Sequence, residues 1–357
     1  MTAPRIEIDL EKISHNATRL RELYASKGVG ITGVTKVVCG DPVVADVLVN
    51  TGIDTLADSR LKNITRMREA GIQAQFVLLR TPAPSQAEST VRYADISLNT
   101  ELSVIERLSE SAVKTGATHK IILMVELGDL REGILPAALD ETVERVLGQS
   151  GIVLAGIGTN LACFGGIKPD DEKLDRLSLI ASEIEEKFGV VLQYVSGGNS
   201  ANHDWFMSTN NIGRINNLRL GESIFLGRET LHRKPIPGLF TDAFRLVAEV
   251  IESKMKPSKP YGEICQDAFG NVPEFSDQGQ MRRVILGIGL QDVLVSGLTP
   301  CVNIEILGAS SDHIMIDARK MDLKVGDEVE FSLNYGALLS SMTSPYVAKS
   351  YVVPHNS

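Results

Sequence analysis

From residue 29 to residue 227 the chain alternates short apolar, β-branched runs with amphipathic stretches of helical period, and no other feature constrains its fold so strongly. The runs read VGITGVTK, TLADSR, AQFVLLR, ADISLNT, KIILMVEL, IVLAGIGT, LQYVSGG and NLRLGESIFLG. Between them lie helical patterns such as DPVVADVLVNTG, RLKNITRMREAG, TELSVIERLSESAVKTG and DEKLDRLSLIASEIEEKFG, each ending on the glycine that most readily closes a helix. Strands separated by helices pair in parallel, because only a crossover returns the chain to the same end of the sheet. Eight such units in about 220 residues predict a parallel (β/α)8 TIM barrel, with a doubly wound open sheet as the alternative.

Past residue 238 the character changes. AFRLVAEVIESKMK, RRVILGIGLQDV, CVNIEILGASSDHIMIDARK and VGDEVEFSLN show little helical period and are separated by Gly, Pro, Ser and Asp turns. They predict a C-terminal all-β domain over 238–357 after a barrel over 10–237, with the opening strand at residues 4–9 joining the β domain. A length of 357 residues suits two domains, and 43% hydrophobic with 23% charged residues suits a sizeable core. The formal net charge of -9 argues against nucleic acid or an anionic membrane surface as a partner. The opening MTAPRIEIDLEKISHNATRL has no apolar leader core and nowhere do 18 apolar residues run together, so a cytoplasmic location is expected. Cys39, Cys163, Cys265 and Cys301 form no CxxC pair, and neither a disulfide framework nor a metal site is expected.

In a (β/α)8 barrel the residues that do chemistry stand at the C-terminal ends of the strands. Lys36 ends the first run, in GVGITGVTKVVCG. It is either an ordinary surface lysine just past a strand or a Schiff-base lysine, whose amine becomes nucleophilic when burial or a nearby cation favours the neutral form. Other strand ends favour the second reading. Arg131 follows the fifth run in VELGDLREG, and Thr159 and Asn160 close the sixth in GIGTN. The seventh ends in VSGGNSAN, a Gly–Ser–Asn turn opening a short helix whose free N–H groups suit a phosphate. Arg219, Gly221 and Glu222 stand together in the eighth, LRLGESIFLG. Barrel phosphate sites favour the loops after strands seven and eight, so an amine on the first strand with a phosphate cradle on the last two suggests pyridoxal 5′-phosphate, its aldehyde at Lys36.

These segments resemble the alanine racemase family of fold type III pyridoxal-phosphate enzymes, and within it the alanine/ornithine racemase branch, over nearly the whole chain. GVTKVVCGD stands where that family carries its cofactor lysine. LRLGESIFLG resembles its Arg-Pro-Gly strand with Leu220 in place of proline, ASSDHIMID its Ser-Met-Asp-Gln strand, and LNYGALLSSM its C-terminal Tyr-Glu segment. GEICQDAFGN with ILGIGLQDV points to the ornithine-type branch. The resemblance implies that Lys36 holds the cofactor and is the base on one face of the substrate α-carbon. It sets Arg219 at the pyridine nitrogen, where an always-protonated guanidinium only donates and keeps that nitrogen unprotonated. It places Asn199, Ser200, Gly221, Glu222 (through its backbone N–H) and Tyr335 around the phosphate, and Arg131 near the phenolic oxygen or the substrate carboxylate. Tyr335 reads equally well as a half-buried strand tyrosine. A homodimer is also implied, each barrel mouth closed by the other subunit's β domain.

One segment departs from the family pattern. Racemisation takes a proton from one face of the α-carbon and returns one on the other; the family's second base is a tyrosine in a Gly-Tyr-Ala-Asp stretch, which here reads IGLQDV with Leu290 in the tyrosine's place. Asp292, two residues on, is the first candidate to replace it, as acid/base or as a turn-capping aspartate; Cys265, Asp267, His313 and Tyr261 follow. Asp267 and Asp292 also offer counter-charge to a cationic side chain. The expected activity is racemisation of ornithine, lysine, alanine or a similar amino acid. The alternatives are a pyridoxal-phosphate lyase or decarboxylase on the same scaffold, which needs only one face, and a non-enzymatic cofactor carrier, which the β domain disfavours.

Overall fold

The computed structural model describes residues 2–267 and 269–352. Contacts divide the chain into two units, with boundaries between residues 10 and 11 and between residues 241 and 242. Strand β1 (Arg5–Asp9) opens the chain. The first unit then carries β2 (Gly30–Val34), β3 (Thr55–Asp58), β4 (Gln75–Leu78), β5 (Ile96–Asn99), β6 (His119–Met124), β7 (Ile152–Gly158), β8 (Tyr194–Ser196) and β9 (Asn217–Leu220). Each pairs in parallel with the next, and β9 returns to β2 in the register Thr32↔Arg219 and Gly33↔Leu220, closing an eight-stranded barrel. Every residue of β3, β5 and β9 is buried, as expected of parallel strands covered on both faces. Val34, Ala57, Val77, Ile96, Leu98, Ile122 and Met124 pack as one buried cluster. Between β7 and β8 only glycine fits at position 156, where a Cβ would collide with the Tyr194 carbonyl.

The four helical patterns quoted above form helices Pro42–Asn50, Leu61–Glu69, Leu102–Thr115 and Asp171–Phe188. Two are capped by side chains that accept first-turn N–H groups: Asp41 from Val43 and Val44 at 3.0 and 3.2 Å, and Asp170 from Lys173 at 3.0 Å. Two strand ends differ from the sequence expectation. The eighth run does not continue as a strand to Gly227; β9 stops at Leu220 and Glu222–Leu226 forms a short helix, closed by Gly227 at φ 60°. The first strand stops at Val34, and Lys36 opens a single 3-10 turn, Lys36–Val38.

The second unit is antiparallel apart from one pair. It contains β10 (Phe244–Pro257), β11 (Gln280–Leu286), β12 (Leu298–Pro300), β13 (Glu305–Ala309), β14 (Ile314–Asp317), β15 (Glu328–Leu333) and β16 (Ala348–Val352). Their order is β12-β15-β10-β11-β14-β13; β1 pairs antiparallel with β10 and parallel with β16. A bulge at Val250/Glu252 breaks the register of β10, which pairs with β15 before it and mainly with β11 beyond it. Ile6, Ile8, Leu246, Ala248, Val329 and Phe331 alternate into the core of one part, Val284, Ile314 and Ile316 into the other. LNYGALLSSM forms a helix, Tyr335–Thr343, whose Asn334 cap accepts the Ala337 N–H at 2.9 Å. Among the described residues no helix is long and apolar enough to cross a membrane.

Candidate active site

Lys36 lies one residue beyond a tightly held corner. The Thr35 N–H donates to Ala57 O at 2.9 Å and its hydroxyl to Asp58 Oδ2 at 3.0 Å, tying the end of β2 to the end of β3. Asp58 is fully buried, and its Oδ1 also accepts the Arg60 N–H at 2.8 Å and Asn63 Nδ2 at 3.0 Å. Burial pushes the Asp58 carboxyl above its ordinary range, against these donors and the charge of Lys36. The turn after Lys36 rests on the same neighbour: a Cβ on Gly40 would come within 2.7 Å of Asn63 Cβ. Lys36 is half-buried, with the buried carboxylates of Asp58 and Glu222 as electrostatic neighbours. Two carboxylates offset the desolvation of an ammonium group at this position.

Arg219, on β9, is 6% exposed. Its Nη1 donates to Ser196 Oγ at 2.6 Å and its Nη2 to Thr159 O at 2.7 Å and to Asn160 Oδ1 at 3.4 Å, so the guanidinium spans the ends of β7 and β8. Ser196 donates onward to Asn217 Oδ1 at 2.7 Å, and Asn217 Nδ2 to Thr32 Oγ1 at 2.9 Å, linking β8, β9 and β2. Burial lowers the Arg219 pKa to about 10, which leaves it protonated at neutral pH. Among the described residues Asn160 Nδ2 is buried without a partner. A buried donor of this kind calls for an acceptor.

The phosphate-type turn forms where β8 and β9 end. Asn199 caps the 3-10 turn Ser200–Asn202; its Oδ1 accepts the Ala201 N–H at 2.8 Å and its Nδ2 donates to Asn160 Oδ1 and Leu161 O at 3.0 and 2.8 Å. The Asn199 side chain is therefore committed to shaping the turn. Ser200 Oγ lies 3.0 Å from Ser223 Oγ and accepts the Ser223 N–H at 3.2 Å. Gly221 packs so closely that a Cβ would lie 3.2 Å from Val34 O, and the N–H groups of Gly221 and Glu222 have no acceptor among the described residues. The Glu222 carboxylate turns aside to Arg233 Nε at 3.1 Å; burial raises its pKa, and Arg233 pulls the other way.

Arg131 lies on the loop after β6, bonded to Glu132 through Nε and Nη2 and to Cys163 Sγ through Nη1. Asp129 braces the facing loop by accepting the Phe164 and Cys163 N–H groups at 2.9 and 3.2 Å. Sequence reasoning did not single out Asp58, Ser196, Ser223 or Cys163 as members of the site. Asp58 and Ser196 stand at strand ends, the position rule that identified Lys36.

The remaining candidates belong to the second unit. Asp292 is 4% exposed, its Oδ1 accepting from Ser344 Oγ at 2.9 Å while its N–H donates to Gly289 O at 3.0 Å: the contacts of a turn-capping aspartate. Leu290, at the outside of that turn, is 40% exposed. The turn is bonded to another, Leu290 N–H to Ser310 O and Gln291 N–H to Ser311 O, both at 2.9 Å, and a Cβ on Gly289 would collide with the Asp312 nitrogen. His313 follows, its Nδ1 2.8 Å from Asp312 Oδ1. Tyr261, Cys265 and Asp267 lie in the exposed excursion between β10 and β11. The Asp267 carboxyl is held below its usual range by the Asn271 and Phe269 N–H groups, each 2.9 Å away. Tyr335 is half-buried at the start of its helix.

The barrel residues fit an anionic cofactor with an acceptor nitrogen: the N–H groups of Gly221 and Glu222 and the Ser200 hydroxyl for the anion, the Arg219 guanidinium and the unpartnered Asn160 Nδ2 as further donors, and an amine at Lys36. Comparison with known proteins agrees in kind. The family model "Alanine racemase, N-terminal domain" matches residues 8–229. The chain is 40% identical over 350 residues to an ornithine racemase from Acetoanaerobium sticklandii, covering 97% of this chain and 99% of that protein. It is 39% identical over 353 residues to a lysine racemase from Thermotoga maritima, covering 98% and 99%. The crystal structure of an alanine racemase from Bacillus anthracis with bound L-Ala-P superposes with a TM-score of 0.77 over 99% of this chain and 96% of that one, at 18% identity.

Proposed function

Because the chain belongs to the alanine racemase family of pyridoxal-phosphate-dependent, fold type III enzymes and is an amino-acid racemase, we propose that it interconverts the L- and D-forms of a basic amino acid, ornithine or lysine. The observation that carries the substrate class is similarity along essentially the whole chain to relatives named for those two amino acids.

Bound pyridoxal phosphate supplies the electron sink that makes the α-hydrogen acidic. The protein's part is to hold the cofactor and move protons. Lys36 attaches it and moves the proton at one face of the α-carbon, with Asp58 and Thr35 keeping its backbone in place. Arg219 donates to the ring nitrogen; a guanidinium fixed by Ser196 and Thr159 offers a hydrogen bond without giving up a proton, which restrains the sink and disfavours side reactions. Ser200 and the N–H groups of Gly221 and Glu222 take the phosphate, Asn199 shapes their turn, and Tyr335 is the further phosphate residue that the family resemblance adds. Arg131, the exposed cation of the β6 loop, takes the substrate carboxylate. A homodimer in which each β domain serves the partner's barrel accompanies this assignment.

The test uses purified protein with single enantiomers of ornithine, lysine and alanine in deuterated water, followed by chiral chromatography and mass spectrometry. The expected result is the opposite enantiomer carrying α-deuterium, faster from ornithine or lysine than from alanine. Faster turnover of alanine refutes the substrate class. Decarboxylated or cleaved products without the opposite enantiomer refute the reaction.

A further inference from the structure

Racemisation breaks one C–H bond and forms another on opposite faces of the same carbon. The proton lost goes to one side chain, the proton gained comes from a second, and both refill by exchange with solvent, so nothing is oxidised or reduced. Lys36 accounts for one face. On the segment that resembles the family's second-base segment stands Leu290, which carries no transferable proton, and Asp292 beside it is buried with its carboxylate engaged by Ser344.

What the fold brings to Leu290 comes from elsewhere in the sequence. The 289–292 turn is bonded through Leu290 and Gln291 to Ser310 and Ser311, and the Ser310 N–H closes the second turn onto His313 O at 2.8 Å. The two turns form one exposed corner; with Asp292 buried, its accessible titratable groups are Asp312 and His313. We infer that His313, oriented by Asp312, is the acid/base that replaces the missing tyrosine and serves the face of the α-carbon opposite Lys36.

The geometry supplies what such a group needs. Asp312 holds Nδ1 at 2.8 Å, which selects the tautomer with the proton on that nitrogen and leaves Nε2 as the working atom. Nε2 has no hydrogen-bond partner among the described residues, and the side chain is 40% exposed. The His313 bond in turn holds the Asp312 carboxyl below its usual range, so it remains an anion able to steady the imidazolium. An imidazole also extends less far than a phenol, leaving more room for a long substrate side chain.

The inference rests on the racemase reading, and wild-type protein is the control that separates the two. If wild type fails to racemise any of the three amino acids, the reading fails and this inference with it. If wild type turns over, H313A should lose about 10²–10⁴-fold in racemisation while retaining the visible absorbance of bound cofactor and α-proton exchange from one enantiomer only. Added imidazole should restore part of the rate, a response that a merely structural histidine would not give. H313Q serves should H313A fold poorly, and D312N should show a smaller loss with the same one-sided α-proton exchange. Near-normal turnover of both enantiomers in folded H313A or H313Q overturns the assignment, as does α-proton exchange lost to the same extent from both enantiomers and not rescued by imidazole.

Discussion

Replacing Asp58 tests how the Lys36 corner is held. Asp58→Ala removes the acceptor for three donors: Thr35 Oγ1, the Arg60 N–H and Asn63 Nδ2. Thr35 can turn to Ala57 O, already 3.3 Å away, which leaves two donors orphaned. Each lost partner costs roughly 1–3 kcal/mol, partly offset by no longer burying a charge, for a net loss of about 2–4 kcal/mol. At about 2–4 °C per kcal/mol for a domain of this size, the melting temperature should fall by roughly 5–15 °C. Asp58→Asn should lose about 1 kcal/mol or less, because its amide oxygen still serves Arg60 and Asn63 and Thr35 can reverse to accept from the amide nitrogen. The pH dependence has a defined sign. Burial raises the folded-state pKa of Asp58, so its contribution is fullest below its unfolded value near 3.8 and is lost as pH rises through the folded value. The difference between wild type and Asp58→Asn should therefore shift in favour of the variant as pH rises above the unfolded value. Thermal and urea unfolding of the holoenzyme, alongside cofactor absorbance, measure all of this. Equal destabilisation by Ala and Asn, or a pH trend of opposite sign, would refute the reasoning.

Lys36→Ala should abolish the visible absorbance of bound cofactor together with racemisation; a borohydride-reducible adduct surviving in that variant would place the attachment at another lysine. Sedimentation should find a homodimer, whereas a fully active monomer would remove the partner subunit from the site. Asp292→Asn should lower stability by about 1–2 kcal/mol through the Ser344 contact and leave α-proton exchange from both enantiomers; exchange lost from one enantiomer only would return the second acid/base role to Asp292.

Much of this protein follows from sequence periodicity. A run buried on both faces and followed by an amphipathic helix has few ways to fold, and eight of them in series closed as β2–β9. Position relative to those strands also made Lys36 and Arg219 conspicuous, since a charge at the end of a buried run needs a reason. Local pattern was silent where a segment is buried all round. Glu222–Leu226 has no exposed face, so a helix there has the same apolar look as a strand, and only its packing distinguishes the two. Pairings across the fold were silent as well. Whether Asn160 is left with an unsatisfied donor depends on Asn199 and Arg219, far along the chain. The same holds at Leu290. Spacing of two put Asp292 on the same face in an extended strand, but the chain turns at Gly289, sends that carboxylate inward to Ser344, and brings Asp312 and His313 to the corner instead. Strand order is a property of short-range pattern, whereas which side chains share a corner is set by hydrogen bonds between distant turns, which only the folded chain brings within reach.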